Sequence, residues 1–218
     1  MDNKLIEYSF YLTYAFLVTT GTITFIEALR TKNESMRHIL NLETCISIIA
    51  TFFYSHFVYE FKDYKEINYR MINLNRYVDW AITTPIMLLV LILAFKYNYT
   101  GKSVVSFNDF FIITILNYFM LIIGYLGELK IFNKIFANIF SFVFFILMYL
   151  YIYFKYIYNK YNRQNILLYS LFVILWAIYG FIYLFNNKYR NIGYNILDLF
   201  SKCFVGLYFW AYFTGIFN

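Results

Sequence analysis

Arg76, Tyr77, Asp79, Trp80, Thr83, Thr84 and Pro85 lie together inside one apolar stretch of the chain, and Asp198 and Lys202 lie four residues apart inside the last one. In a helix the second pair shares a face, carboxylate one turn from amine, while Arg76 and Thr83 stand one turn to either side of Asp79. A charge at the centre of a bilayer-spanning helix costs about 2.5–3.5 kcal/mol on insertion scales, so Lys202 needs a partner or a task. An ion pair with Asp198 alone satisfies the spacing. The second aspartate, on another segment with Arg76 beside it, completes a buried quadrupole and favours a functional reading. Glu43 is the fifth ionisable residue at membrane depth. Glu27, Lys134 and Lys155 are close enough to segment ends for their side chains to reach the interface.

The elements that must position these residues follow from composition. With 62% hydrophobic and 14% charged residues and a mean hydropathy of +0.58, the chain is too apolar for an ordinary soluble domain. Apolar stretches cover residues 8–29, 38–59, 74–97, 109–127, 131–156, 166–185 and 192–213. Each crosses a ~30 Å hydrocarbon core as a helix at ~1.5 Å per residue, whereas barrel strands would alternate over about ten residues. The expected fold is all-α: a bundle of seven transmembrane helices forming a single domain over residues 1–218, in a plasma or an internal membrane. The connections at 30–37, 60–70, 96–108, 128–130, 159–165 and 186–191 carry the charges and turn formers. Residues 1–7 show neither a basic region nor a cleavage site, so the first segment is expected to be retained. Cys45 and Cys203 fall inside predicted helices, which argues against a disulfide framework. The net charge of +6 is spread over both sets of loops, so no nucleic-acid partner is expected and orientation stays open. No metal site and no enzymatic turnover are expected either.

On these residues the chain resembles the microbial (type 1) rhodopsins. Their last helix carries D-x-x-x-K, whose lysine binds all-trans retinal as a protonated Schiff base, and Asp198 to Lys202 fits it. Their third helix carries R-Y-x-D-W-x-x-T-x-P, matched by Arg76, Tyr77, Asp79, Trp80, Thr83 and Pro85. The resemblance implies that Trp80, Thr83, Thr84, Met120, Gly124, Trp176, Tyr179 and Tyr183 surround the retinal, with Gly180 where many members carry proline. It implies that Tyr54 hydrogen-bonds Asp198, that Asp79 and Asp198 serve as counter-ions offset by Arg76, and that the N-terminus is extracellular. In a chain that is 25% aromatic, Trp80, Trp176, Tyr179 and Tyr183 taken singly would more often be core. Their register with Asp79 and Lys202 is what lifts them.

An outward proton pump of that family carries a donor eleven residues after the acceptor, and here that position is Val90. Residues 186–197 hold no acid where members usually keep a pair of release glutamates. Glu43 shares a helix face with Ser47, Ala50 and Tyr54, ~16 Å beyond Tyr54. It reads as a surrogate donor, as a gate carboxylate beside a cation path, or as a carboxyl that snorkels to the interface near His38. Its placement, Val90 and the compact length look like the rhodopsins of giant DNA viruses, which include cation channels and proton transporters. The gating residues of algal channels are replaced by Thr84 and Asn117. The leading expectation is therefore a light-gated cation channel, with an outward proton pump using Glu43 as donor next and a sensor signalling to a partner third. Monovalent cations or protons are the expected cargo. Family members form dimers, trimers and pentamers, so a homo-oligomer is among the expected assemblies.

Overall fold

The computed structural model describes residues 3–63 and 67–215. The helices are α1 (Asn3–Arg30), α2 (Glu34–Asp63), α3 (Tyr69–Thr100), α4 (Phe107–Glu128), α5 (Lys134–Ile152), α6 (Arg163–Tyr183), α7 (Asn187–Asp198) and α8 (Val205–Thr214). A π-helical turn, Tyr153–Ile157, prolongs α5, and a second, Leu199–Phe204, joins α7 to α8 in one continuous rod. Among the described residues this makes seven rods long and apolar enough to cross a membrane. Residues 64–66 of the expected 60–70 connection lie outside the described residues.

Most of the helices run further than the apolar stretches, α5 starting later and α6 ending earlier, because polar caps rather than hydropathy bound them. Asn33, Asn68, Asn133, Asn162 and Asn186 each accept a backbone N–H from two or three residues ahead, satisfying donors that the first turn leaves free. The expected connection at 186–191 is thereby mostly helix. That at 128–130 shifts toward Asn133, since Glu128 closes α4. Gly101, at φ 72°, ends α3 in the left-handed region that only glycine enters without penalty.

The central rod is α3. Across its most apolar stretch 67% of residues are buried, against 22% in α4 and in α6. Leu88, Val90, Leu91, Ile92 and Phe95 of α3 pack against Met148 and Ile152 of α5, Phe172 of α6 and Phe209 of α8. A smaller cluster around Phe10, Tyr54, Phe57 and Ile72 joins α1, α2 and the start of α3. Outward-facing Phe, Ile and Leu side chains, such as Phe111, Ile122, Phe140 and Leu147, present an apolar surface suited to lipid, so helix association relies on close packing and internal hydrogen bonds.

Pro85 sits inside α3 and deprives the Ala81 carbonyl of its helical donor. Nearby hydroxyls turn inward on the same stretch: Thr83 Oγ1 donates to the Asp79 carbonyl at 2.9 Å and Thr84 Oγ1 to that of Trp80 at 2.7 Å. Both threonines are thus bound to the backbone at the point where the acidic and aromatic residues of α3 must be held.

Candidate functional site

Asp79, Arg76, Asp198 and Lys202 meet at the middle of the bundle, and all four are buried. Lys202 Nζ donates to Asp79 Oδ2 at 2.7 Å and lies 3.8 Å from Asp198 Oδ1. Arg76 Nη1 is 3.3 Å from Asp198 Oδ2. Four charges that sum to zero lower the cost of taking each out of water, provided their remaining hydrogen-bonding capacity is met. For Asp198 it is met fully: Tyr54 donates to Oδ2 at 2.7 Å and Tyr179 to Oδ1 at 2.6 Å, and the Tyr179 hydroxyl also meets Ser201 Oγ at 2.9 Å. Among the described residues Asp79 accepts only from Lys202 and, at 3.3 Å, from Thr83 Oγ1. The two carboxylates therefore differ, and Asp79 has fewer donated bonds to lose.

The four-residue spacing of Asp198 and Lys202 does bring their charged groups within 3.8 Å. Lys202 stands within the π-helical turn Leu199–Phe204, not in a regular α-helix, and its amine reaches across to Asp79 of α3 in preference to its own-rod neighbour.

Arg76 is boxed in. The rings of Phe10, Tyr54, Phe57 and Tyr194 lie 5.2–5.6 Å from its guanidinium carbon, within the range of cation–π attraction. Nη2 donates to Asn195 Oδ1, Nη1 to the Tyr54 hydroxyl at 3.1 Å, and Nε to Asn191 Oδ1 at 3.3 Å.

A mostly apolar cavity opens from Lys202 between α3, α4, α5 and α6. Of the residues expected around it, Lys202, Trp80, Thr84, Met120, Gly124, Trp176, Tyr179 and Tyr183 form its wall. Thr83 and Tyr54 stand behind the wall, bound to Asp79 and Asp198. Gly124 has a steric reason: a Cβ there would come 2.8 Å from the Tyr77 hydroxyl, which crosses its face. An amine at the end of an aromatic, mostly apolar cleft fits a long apolar aldehyde, with carboxylates at the one point where a positive charge would be held.

Several wall residues escape a reading of the sequence. Tyr194 packs edge-on to Trp80 at 5.0 Å and stacks near Tyr179 at 5.7 Å. Met87, Leu121, Phe145 and Ser201 also line the cavity. Ser201, adjacent to Lys202, was discernible by position, whereas Tyr194 carries no local signal among so many tyrosines. Asn117 of α4 donates to Thr84 Oγ1 at 2.8 Å, tying α4 to α3 at the wall.

Glu43 is only 2% exposed, so it does not snorkel to the interface. It lies among Thr20, Thr24, Thr44 and Ser47, all buried, and faces Gly206 of α8, where a Cβ would stand 3.2 Å from Glu43 Oε2 and 2.8 Å from Thr20 Cγ2. Among the described residues its carboxyl makes neither an ion pair nor a hydrogen bond, and Ser47 Oγ has no hydrogen-bond partner.

The burial of charge also extends beyond the five residues read from the sequence. Asp109 pairs with Lys155 at 3.1 Å and accepts from Tyr151 at 2.9 Å. Glu128 and Arg190, read as connection residues, form a bidentate pair with both contacts at 2.9 Å and side chains 9% and 4% exposed.

The family model described as Bacteriorhodopsin-like protein matches residues 4–216. Among solved structures, the chain is similar to viral rhodopsin OLPVRII, at 59% identity over 98% of this chain and 100% of that one, with a TM-score of 0.93. It is similar in fold to blue light-absorbing proteorhodopsin from Med12, at 22% identity over 94% of each chain and a TM-score of 0.74. The proton pumping rhodopsin AR2 from the marine alga Acetabularia acetabulum shares that fold at 17% identity over 100% of this chain and 98% of that one, TM-score 0.78. No curated protein matches the chain.

Proposed function

This chain belongs to the bacteriorhodopsin-like family, and from that premise we propose that it is a light-driven proton pump, with Asp79 as acceptor and Glu43 as donor. Members of the family are integral membrane proteins that bind retinal through a lysine Schiff base, and Lys202 is the lysine that opens onto the cavity. Bound through Lys202, retinal would supply visible absorption and a light-driven isomerisation of its polyene chain. The remaining steps belong to the protein.

Asp79, 2.7 Å from Nζ, takes the proton. Asp198, already saturated by two tyrosines and Arg76, stays charged and keeps the Lys202 side electrically balanced. With the N-terminus outside, the Arg76 end faces the exterior and Glu43 the cytoplasm. Glu43 then returns a proton to Nζ. The observation that carries this reading is Glu43 itself: a buried carboxyl with no counter-charge gains most by holding its proton until a base appears. It faces Gly206, one turn along the rod from Lys202, and the threonine and serine hydroxyls around it are suited to relaying that proton.

The light-gated cation channel favoured by the sequence rests on the same stripe, because Thr20, Thr24, Thr44 and Ser47 would line a path if it hydrated. Against it, Leu88, Val90, Leu91 and Phe95 close the neighbouring core. Voltage-clamp current under light, with proton and cation gradients varied, separates the two. A current that stays outward at every voltage supports the pump. One that reverses with the cation gradient overturns it in favour of the channel, and pigment without current leaves the sensory reading.

A further inference from the structure

Arg76 is held on its outer side by a line of side chains that ends on a carboxylate in another rod. Arg76 Nε donates to Asn191 Oδ1 at 3.3 Å, Asn191 Nδ2 donates to Asn73 Oδ1 at 3.1 Å, and Asn73 Nδ2 donates to Glu128 Oε1 at 3.1 Å. Asn73, Asn191 and Arg190 are buried. Arg190 clamps both oxygens of Glu128 and also donates to Asn187 Oδ1 at 2.6 Å, and Asn187 accepts from Asn73 Nδ2 at 3.3 Å through Oδ1 and from Asn191 Nδ2 at 2.9 Å through its carbonyl.

The direction of this line is dictated at both ends. A guanidinium has only donors, so Asn191 must turn its carbonyl oxygen to Arg76 and its amide nitrogen outward. An ionised carboxylate has only acceptors, so Asn73 must turn its nitrogen to Glu128 and its oxygen inward. The two requirements agree across the Asn191–Asn73 bond. Both amides are therefore locked head to tail between an anion and a cation, and each polarises the next in a low-dielectric interior. Glu128 also has a near-complete set of donors without reaching the pigment cavity, so its charge is not needed to line that site.

We propose that Glu128 is a positioning residue for the central charge cluster: through the oriented amides of Asn73 and Asn191 it fixes Arg76 in the orientation that compensates Asp198. The inference uses Lys202 as the pigment site but does not depend on whether the protein pumps or conducts. Neutral glutamine at 128 can present either a donor or an acceptor to Asn73, which removes the anionic end of the line and leaves the direction of Asn73 to its longer bond with Asn187 Oδ1, at 3.3 Å. Arg76 then turns to recover a partner for Nε and gives up part of its contact with Asp198. The carboxylates beside the Lys202 nitrogen become less compensated and hold positive charge more tightly there, so the visible band moves to shorter wavelengths.

The test is the dark absorption maximum of retinal-reconstituted Glu128→Gln, Asn73→Leu, the double variant and Glu128→Asp, with the side-chain amide resonances of Asn73 and Asn191 recorded on the retinal-free protein. Glu128→Gln and Asn73→Leu are expected to shift the band in the same direction, the double variant no further than the larger single shift, and Glu128→Asp to restore the parent maximum. In the retinal-free protein both amide signals should move together in Glu128→Gln. Because Glu128→Gln leaves Arg190 without its counter-charge and can fail to fold, Asn73→Leu, which keeps that pair, carries the test alone if needed. An unshifted band in Asn73→Leu, or unmoved Asn191 resonances in a folded Glu128→Gln, overturns the proposal and leaves Glu128 a clasp between α4 and α7. A parent protein that forms no pigment would instead sink the family-based site, and the amide resonances would still decide the role of Glu128.

Discussion

The two sides of Lys202 are built by opposite rules. Toward Arg76, side chains from α2, α3, α6 and α7 make an almost unbroken set of directed hydrogen bonds, and each buried charge meets its opposite. Toward Glu43, one carboxyl stands among hydroxyls and aliphatic groups, with no opposite charge paired to it among the described residues. A compensated set of charges resists change, because removing any member leaves another buried and unpaired. A lone carboxyl has no such tie and can remain neutral at little cost. The first side is suited to holding charge still around Lys202, the second to storing a proton and releasing it.

This contrast can be broken in graded steps. The largest effect is expected for Lys202→Ala, which should abolish visible absorbance on adding retinal; a retained pigment would undo the site altogether. Arg76→Gln, on the compensated side, should lower the stability of the retinal-free protein by about 3–5 kcal/mol, since Asp198 loses its guanidinium partner. Thermal unfolding in detergent measures this, and a loss under about 1 kcal/mol would mean the network is looser than its geometry. Gly206→Ala, on the other side, places a methyl against Thr20 and Glu43 and should cost about 1–3 kcal/mol through overpacking. It should also slow recovery of the Lys202 proton by displacing Glu43, which time-resolved absorbance would follow.

The smallest stability effect is expected for Glu43→Gln, within about 0.5 kcal/mol, because no ion pair is lost. Its kinetic effect should be large, with the late return of the proton markedly slowed. If stability falls as far as in Arg76→Gln, or if the late step is unchanged, the two sides are not different in the way described. Val90→Asp sharpens the same point by adding a second acid, and it should restore the late step in the Glu43→Gln background.

How far the sequence reveals all this depends on what kind of interaction is involved. The seven rods were legible because hydropathy and length act locally, and the meeting of Asp79 with Lys202 was legible because two dense motifs mark it. Glu128 and Arg190 were not, since each looks like an ordinary residue of a polar connection until α4 runs on to Glu128 and the cap at Asn186 starts α7 ahead of Arg190. Asn73, Asn191 and Asn195 share a residue type with many surface and capping asparagines, so only their partners in space distinguish them. The π-helical turn at Lys202 has no signature in composition, being a choice of hydrogen-bond partner that packing makes.

That turn has a geometric consequence for the whole last rod. In an unbroken α-helix Asp198 and Gly206, eight residues apart, would point about 80° away from each other, at about 100° per residue. One extra residue taken up in a π turn winds the rod back by about one such step and brings them to within roughly 20°. On α2, Tyr54 and Glu43 are eleven residues apart and also nearly in line, within roughly 20°. Tyr54 meets Asp198 and Glu43 meets Gly206, so the wider turn at Lys202 brings two helices of unequal residue spacing into phase. Deleting Cys203 would leave every side chain of the charge cluster in the sequence, yet rotate Gly206 out from under Glu43.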